Sequence, residues 1–161
     1  ISSVKGQIPG GGIGLLAAAD FVVAERSSTL TFSEVKLGLI PATIAPYVLR
    51  KVGFSRASDW MMTGRPIDTS EARESGLIQR ICEDGLLVET TKQLIKELLS
   101  HSFKAVKGVK DSLRKLESET DPDQVDQYTS RLIAGFRTSS EGQEGMTAFF
   151  EKRKPRWNEK P

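Results

Sequence analysis

The glycine-rich turn near the start of the chain is the stretch best suited to chemistry. Gly10, Gly11 and Gly12 are consecutive, Gly14 follows, and residues 15–20 form a small-residue run. No Cβ shields the backbone N–H groups of such a turn, and the run after it predicts a buried helix. The amides and the positive end of the helix dipole would then point at one spot. That spot suits a phosphate, a carboxylate or an oxyanion, although a tight turn that needs close backbone packing would use the same glycines.

The elements that must position this turn alternate between short strands and helices. This βα pattern over residues 1–83 predicts an α/β core, and the pattern from residue 84 onward is purely helical. The strands are predicted at 21–24, 29–32 and 77–82. Asp121 and Pro122 predict a helix start, and Pro155 predicts the end of the last helix. The large apolar residues predicted in the core include Trp60, Met61 and Met62.

The composition narrows the function classes. The chain has 161 residues and a net charge of +2, which by itself does not indicate a nucleic-acid partner. Cys82 is the only cysteine, so an internal disulfide is excluded and a reducing compartment is expected. No apolar run of about 18 residues is present, so no membrane span is expected. The chain opens on Ile1 rather than methionine, and we expect its true N-terminus to lie upstream.

The order of the motifs resembles the second half of the crotonase superfamily, the enoyl-CoA hydratases and isomerases. The resemblance runs from Val4 through the glycine turn and residues 33–41 and 63–68 to the tail at 144–156. The segment from Glu34 to Val48 is most similar to hydratases of the methylglutaconyl-CoA type. The resemblance implies the C-terminal part of a crotonase-like ββα spiral. Its α/β core would occupy residues 1–83, and a helical trimerisation and CoA-capping region would occupy residues 84–161.

The resemblance also assigns roles around the glycine turn. The Gly11 N–H would bind the thioester oxygen as it becomes an enolate, and Gly10 and Gly12 would let the backbone approach the substrate. Glu34 would move a proton at the α-carbon or orient the water. Without the family context, Glu34 would be interpreted as a solvated loop residue paired with Lys36. The absent N-terminal half would carry the second oxyanion amide, so the segment alone is expected to be a poor catalyst.

Three further residues are candidate substrate contacts by the same resemblance. Thr43 would donate a hydrogen bond into the acyl pocket, although capping its own helix is the alternative that we favour. Phe149 would flank the adenine of CoA, and Lys152 would meet a CoA phosphate. A solvated cationic helix end would explain the same tail.

One position departs from the family pattern. The water-handling carboxylate of the best-known hydratases falls on Gly14, and glycine cannot transfer a proton. Three outcomes stay open. Either one carboxylate does all the proton transfer, as in the isomerases of the family, or another side chain supplies the second group, or the fold has lost its activity.

These observations predict an enzyme portion that hydrates a 2-enoyl-CoA. An enoyl-CoA double-bond isomerase that uses Glu34 alone is the first alternative, and a non-catalytic assembly module is the second. No metal and no cofactor are expected apart from the coenzyme A of the substrate. The expected assembly is a homotrimer or hexamer without nucleic acid, and the expected compartment is the cytoplasm, or the mitochondrial matrix in a eukaryote.

Overall fold

The computed structural model describes residues 1–158, and the chain divides into two compact units between Gln93 and Leu94. The first unit contains six short strands and two small sheets. The strands are β1 (Ser2–Val4), β2 (Gln7–Pro9), β3 (Val22–Glu25), β4 (Thr29–Thr31), β5 (Pro66–Asp68) and β6 (Arg80–Cys82). One sheet has the order β1-β3-β6 and is parallel throughout. The other has the order β2-β4-β5, with β2 parallel and β5 antiparallel to β4.

Helices connect these strands in the order that the βα pattern predicts. The helices that lie wholly in the first unit are α1 (Gly11–Ala18), α2 (Ala45–Thr63) and α3 (Thr69–Glu74). The α/β core is therefore confirmed. The predicted strand at 77–82 begins only at Arg80. The amides of Leu77 and Ile78 instead donate to the Ala72 carbonyl at 3.0 and 3.1 Å, in the turn that ends α3.

The core of the first unit forms where the two sheets meet the helices. Val22, Val23 and Ala24 are all fully buried, as expected for a central parallel strand covered on both faces. The rings of Phe32 and Trp60 stack with centroids 6.5 Å apart. The prediction that Met62 is also in the core was wrong, because its side chain is 73% exposed. Adjacent helical residues are about 100° apart, so three in a row cannot all face one core.

The second unit is helical. α4 (Leu87–Leu99) contains the unit boundary, and α5 (Phe103–Ser118), α6 (Pro122–Thr138) and α7 (Ser140–Phe150) follow it. The predicted start of α6 is confirmed, since the Asp121 carboxylate accepts the Asp123 N–H at 3.0 Å with Pro122 in the first turn. The predicted stop at Pro155 was wrong. α7 already ends at Phe150, and the Arg153 N–H turns back to the Ala148 carbonyl at 3.0 Å.

An ion-pair network ties α2 to α3 in the first unit and gives a stability prediction. The Glu71 carboxylate accepts hydrogen bonds from Arg65 Nη1 at 2.8 Å and from Trp60 Nε1 at 2.9 Å, and the Arg65 contact is the main cause that lowers the pKa of Glu71 to about 2. A carboxyl with a depressed folded-state pKa stabilises the fold above its unfolded pKa. That stabilisation is lost as the pH falls from about 4.5 to about 2.

We therefore expect Glu71→Gln to lower the free energy of unfolding by about 1–2 kcal/mol at pH 7, after allowance for solvent screening at the half-exposed Arg65. The variant should also lose less stability than the parent between pH 4.5 and pH 2, because the charge that titrates is gone. Urea unfolding at several pH values measures both effects. Glu74→Gln is the matched control on the exposed side of α3. Equal acid sensitivity in the parent and in Glu71→Gln would contradict the prediction.

Candidate active site

The site forms where two neighbouring parallel strands end. β2 and β4 pair in the register Pro9 to Thr31, so the residues that follow them emerge at the same edge of the sheet. The Gly10 N–H donates to the Thr31 carbonyl at 2.9 Å and fixes the glycine turn against the end of β4. The chain after β2 enters α1 at Gly11, and the chain after β4 reaches Glu34. This topology brings together two parts of the chain that are more than twenty residues apart.

The glycine turn presents free amides at the start of α1. Gly10 is the N-cap, with φ 32° and ψ −104°, a conformation that favours glycine. Gly11 is the first helical residue and is exposed, and the first amides of a helix have no intrahelical partner. A Cβ on Gly12 would lie 3.0 Å from Ile8 Cγ2, so β2 packs closely beneath the turn. The turn thus offers an exposed N–H at the positive end of a helix.

Glu34 lies directly against this turn. A Cβ on Gly10 would be 3.0 Å from the Glu34 Cδ and 3.3 Å from its Oε2, so the carboxylate occupies the space that the missing side chain leaves. Oε2 is buried and finds no hydrogen-bond partner within residues 1–158. The Glu34 carbonyl accepts the Leu39 N–H at 3.0 Å, and a short 3₁₀ helix over Glu34–Leu37 holds the backbone. A buried carboxylate oxygen without a partner, beside a helix N-terminus, is a group available for proton transfer.

An apolar side chain fills the space beside Gly14, the position at which the family resemblance would place a second carboxylate. Gly14 is buried, and a Cβ there would lie 2.8 Å from Ile44 Cβ, with Ile44 Cγ2 closer still. Ile44 was not among the residues predicted for the site. The sequence around Ile44 gives no signal for this role, because an isoleucine in a loop indicates neither catalysis nor a contact with Gly14. Only the folded chain places the two together.

Thr43 lies next to Ile44 but does not cap α2. The N-cap position belongs to Ile44, and the Thr43 side chain is exposed. The predicted capping role was therefore wrong, because the turn that begins at Pro41 closes one residue later than the sequence pattern suggests. The Ile44 and Ala45 amides both donate to the Pro41 carbonyl, at 3.2 and 2.9 Å. The substrate contact of Thr43 stays a prediction.

Phe149 and Lys152 belong to the second unit. Phe149 is 79% exposed and meets Phe150 edge to face, with ring centroids 5.8 Å apart. Lys152 lies just after α7 in the left-handed region at φ 53°, where its N–H donates to the Phe149 carbonyl at 3.2 Å. Both side chains are free to meet a ligand within this unit, and their predicted contacts with CoA stay predictions.

The backbone conformation of Lys152 gives a stability prediction. A residue with a Cβ in the left-handed region is strained, and glycine is the usual residue at this helix-end position. We expect Lys152→Gly to stabilise the intact protein by about 0.5–1 kcal/mol, while Lys152→Ala, which keeps the Cβ, should gain nothing. Urea unfolding of the two variants measures the difference. If glycine is no more stabilising than alanine, φ at this position is not a source of strain.

Comparisons with known proteins show the family of the chain. The sequence profile of the family described as Enoyl-CoA hydratase/isomerase matches residues 1–160. The chain belongs to the enoyl-CoA hydratase/isomerase family. A crystal structure of an enoyl-CoA hydratase from Shewanella pealeana shows 41% sequence identity to this chain and a TM-score of 0.88. The alignment covers 96% of this chain and 58% of the Shewanella chain. A 1,2-epoxyphenylacetyl-CoA isomerase from Escherichia coli is 30% identical over 99% of this chain and 61% of its own length.

The matches also define how much of a family member this chain represents. A Thermus thermophilus relative is 32% identical over 98% of this chain but only 62% of its own length. The chain thus spans about three fifths of the length of the curated relatives it matches. Within residues 1–158, no helix combines the length and the apolar composition needed to cross a membrane.

Proposed function

We propose that this chain supplies the proton-transfer half of an active site that hydrates a 2-enoyl-CoA. The buried, unpartnered Oε2 of Glu34 beside the amides that open α1 is the observation that carries the proposal. Relatives named as an enoyl-CoA hydratase and as a CoA-ester isomerase support an acyl-CoA substrate.

The geometry suggests how the two groups act on the thioester. The Gly11 N–H would donate to the thioester carbonyl oxygen and stabilise the enolate that forms there. Glu34 would accept a proton from water as the water oxygen bonds to C3, and would return that proton to C2 as the enolate collapses. One water is consumed, and the product is a 3-hydroxyacyl-CoA. A single carboxylate can carry out both proton transfers.

Isomerisation is the second candidate, and the Gly14–Ile44 contact favours it. The same carboxylate would take a proton from C2 of a 3-enoyl-CoA and deliver it to C4, so that the double bond moves without any water. This reaction needs only Glu34 and the oxyanion amide. The absence of a carboxylate at Gly14, where Ile44 fills the space, is compatible with this reaction without any further group.

We further propose that the chain acts as the C-terminal part of a longer crotonase-like protein. The share of its relatives that it spans supports this. The remaining part would provide the second oxyanion donor and most of the acyl pocket. A substrate of the methylglutaconyl-CoA type is proposed from the segment between Glu34 and Val48, and the compartment stays a prediction.

A panel of thioesters assayed with the full-length protein tests the proposal. It would include straight 2-enoyl-CoA and 3-enoyl-CoA substrates and branched 2-enoyl-CoA substrates, with the products identified by mass and retention time. Formation of 3-hydroxyacyl-CoA supports the hydratase, and conversion of 3-enoyl to 2-enoyl thioesters without a gain of water supports the isomerase. No turnover of any member would contradict both.

Self-association is the expected assembly behaviour, as a trimer or a pair of trimers. The exposed apolar side chains of the second unit support it, and on α5 they include Val109 at 58% and Leu113 at 62% exposure. These two residues are four apart and share one helix face. We expect light scattering to show a multimer at tens of micromolar that Leu113→Asp shifts toward monomer. Ser118→Asp adds the same charge elsewhere on α5. A parent monomer at all concentrations would contradict the prediction.

A further inference from the structure

We propose that Ile44 sets the balance between water addition and double-bond migration in this site. It does so by filling the volume beside Gly14 with hydrocarbon, one helical turn from the Gly10 that Glu34 contacts. This inference rests on the proposed acyl-CoA chemistry and assigns a specificity-determining role to a residue whose type gives no indication of it.

The contact between Ile44 and Gly14 leaves no room for a side chain. An ideal Cβ on Gly14 would lie 2.8 Å from Ile44 Cβ, a distance that real Cβ atoms essentially never show. Cβ is the branch point of isoleucine rather than a flexible end, so the side chain cannot rotate away as a lysine or glutamate would. Position 14 must therefore be glycine for as long as Ile44 keeps its place.

Several contacts hold Ile44 in that place. Its N–H donates to the Pro41 carbonyl at 3.2 Å, and its carbonyl accepts the Tyr47 and Val48 amides, both at 3.1 Å. The side chain packs against the hydrophobic core of the first unit. Moving Ile44 would disturb the first turn of α2 as well as the core.

Glu34 and Ile44 pack against the first part of α1 at positions four residues apart. Glu34 fills the space beside Gly10, and Ile44 fills the space beside Gly14. Gly10 is the N-cap and Gly14 lies in the first turn of the helix, and four residues correspond to a rise of about 6 Å along a helix axis. A hydrocarbon side chain thus fills the volume one helical turn from the glycine that the acid–base group contacts.

This arrangement affects the two reactions differently. Water addition needs a water molecule held near C3, and an ordered water requires about two to four polar partners. Double-bond migration needs only a carboxylate that moves a proton between two carbons. An apolar side chain beside Gly14 offers no partner to such a water and leaves the carboxylate unaffected, so it lowers the rate of addition relative to migration without abolishing addition.

A double-mutant cycle, followed by thermal unfolding, tests the contact between Gly14 and Ile44 without any reliance on activity. Gly14→Ala should lower the melting temperature of the full-length protein in the Ile44 parent, because the new Cβ meets Ile44. In an Ile44→Ala background the same change should leave the melting temperature unchanged or raise it, since alanine is the better helix residue. Equal effects of Gly14→Ala in both backgrounds would overturn the proposal that Ile44 occludes position 14.

A partition assay tests the functional role. Full-length parent and the Gly14→Glu/Ile44→Ala double variant are given 2-hexenoyl-CoA and 3-hexenoyl-CoA, and hydration and isomerisation rates are measured separately. We expect the ratio of hydration to isomerisation to rise at least about tenfold in the double variant, the lower end of the range that one positioned acid–base group contributes. Ile44→Ala alone should raise it less, because it opens space without adding a polar group.

The outcomes separate this inference from the proposed function. If the parent turns over the thioesters and a folded double variant keeps the parental ratio within twofold, the role of Ile44 is refuted and the proposed function stands. If the parent turns over neither these thioesters nor any other member of the panel, the proposed function fails and the partition role fails with it. The unfolding cycle then still decides whether Ile44 excludes a side chain at position 14.

Discussion

Glu34→Gln should reduce α-proton exchange on an enoyl-CoA by about 10²–10⁴-fold in the intact protein, the range typical of a general acid–base group. Glutamine keeps the size and shape that fill the space beside Gly10, but it cannot accept or return a proton. The affinity for the CoA ester should change little, because the proposed role of Glu34 lies at the reacting carbons. Deuterium wash-in at Cα, measured together with the turnover rate and the dissociation constant, separates these effects.

The matched control is Glu89→Gln, which makes the same chemical change at an exposed glutamate of α4. It should leave exchange and turnover at the parental level. Unfolding curves of both variants show whether either one has lost its fold. If Glu34→Gln keeps more than about half of the parental exchange rate, Glu34 is a structural residue and the acid–base group lies elsewhere in the protein.

The meeting of Glu34 and the glycine turn could be predicted from the sequence through the order of its motifs. An apolar run predicts the strand before Glu34, whereas the strand before the glycine turn, Gln7–Pro9, has no such run and was not predicted. The motif order then matched a family in which these two positions belong together. The structure confirms their proximity through the space that Glu34 occupies beside Gly10.

The role of Ile44 could not be predicted in this way. The contact with Gly14 joins residues thirty positions apart, and it depends on how the turn after Pro41 directs one side chain toward α1. The glycine at position 14 was visible as a departure from the family pattern. The reason that no side chain fits there is a matter of packing volume, which residue types alone do not encode.

Helix ends and the directions of helical side chains also divide into features that the sequence predicts and features that it does not. Asp121 marks the start of α6 correctly, because a capping carboxylate acts on its immediate neighbours. The end of α7 predicted at about Arg153, before Pro155, is three residues too late, since the turn at Lys152 depends on a left-handed conformation that lysine does not signal. Met62 is exposed although its type favours burial, because its direction depends on where α2 packs.

Gly11→Pro should lower kcat by about 10²–10³-fold in the intact protein, the usual effect of losing one oxyanion donor. Proline lacks the backbone N–H and is well tolerated as the first residue of a helix, which is where Gly11 stands. Among the described residues, nothing lies within 4 Å of a Cβ at this position, so the Cβ adds no clash. The substitution removes the donor and places the ring Cδ along the former N–H direction, so the dissociation constant of the CoA ester is measured beside kcat.

Gly11→Ala is the decisive control, because it adds the same Cβ and keeps the N–H. Alanine should retain most of the parental kcat, and both variants should unfold within a few degrees of the parent. The loss with proline should appear mainly in kcat, since the hydrogen bond strengthens as charge builds on the thioester oxygen. If proline and alanine give equal rates in folded protein, the Gly11 amide does not stabilise the enolate, and the oxyanion donor must be sought among the other amides of the glycine turn or outside this chain.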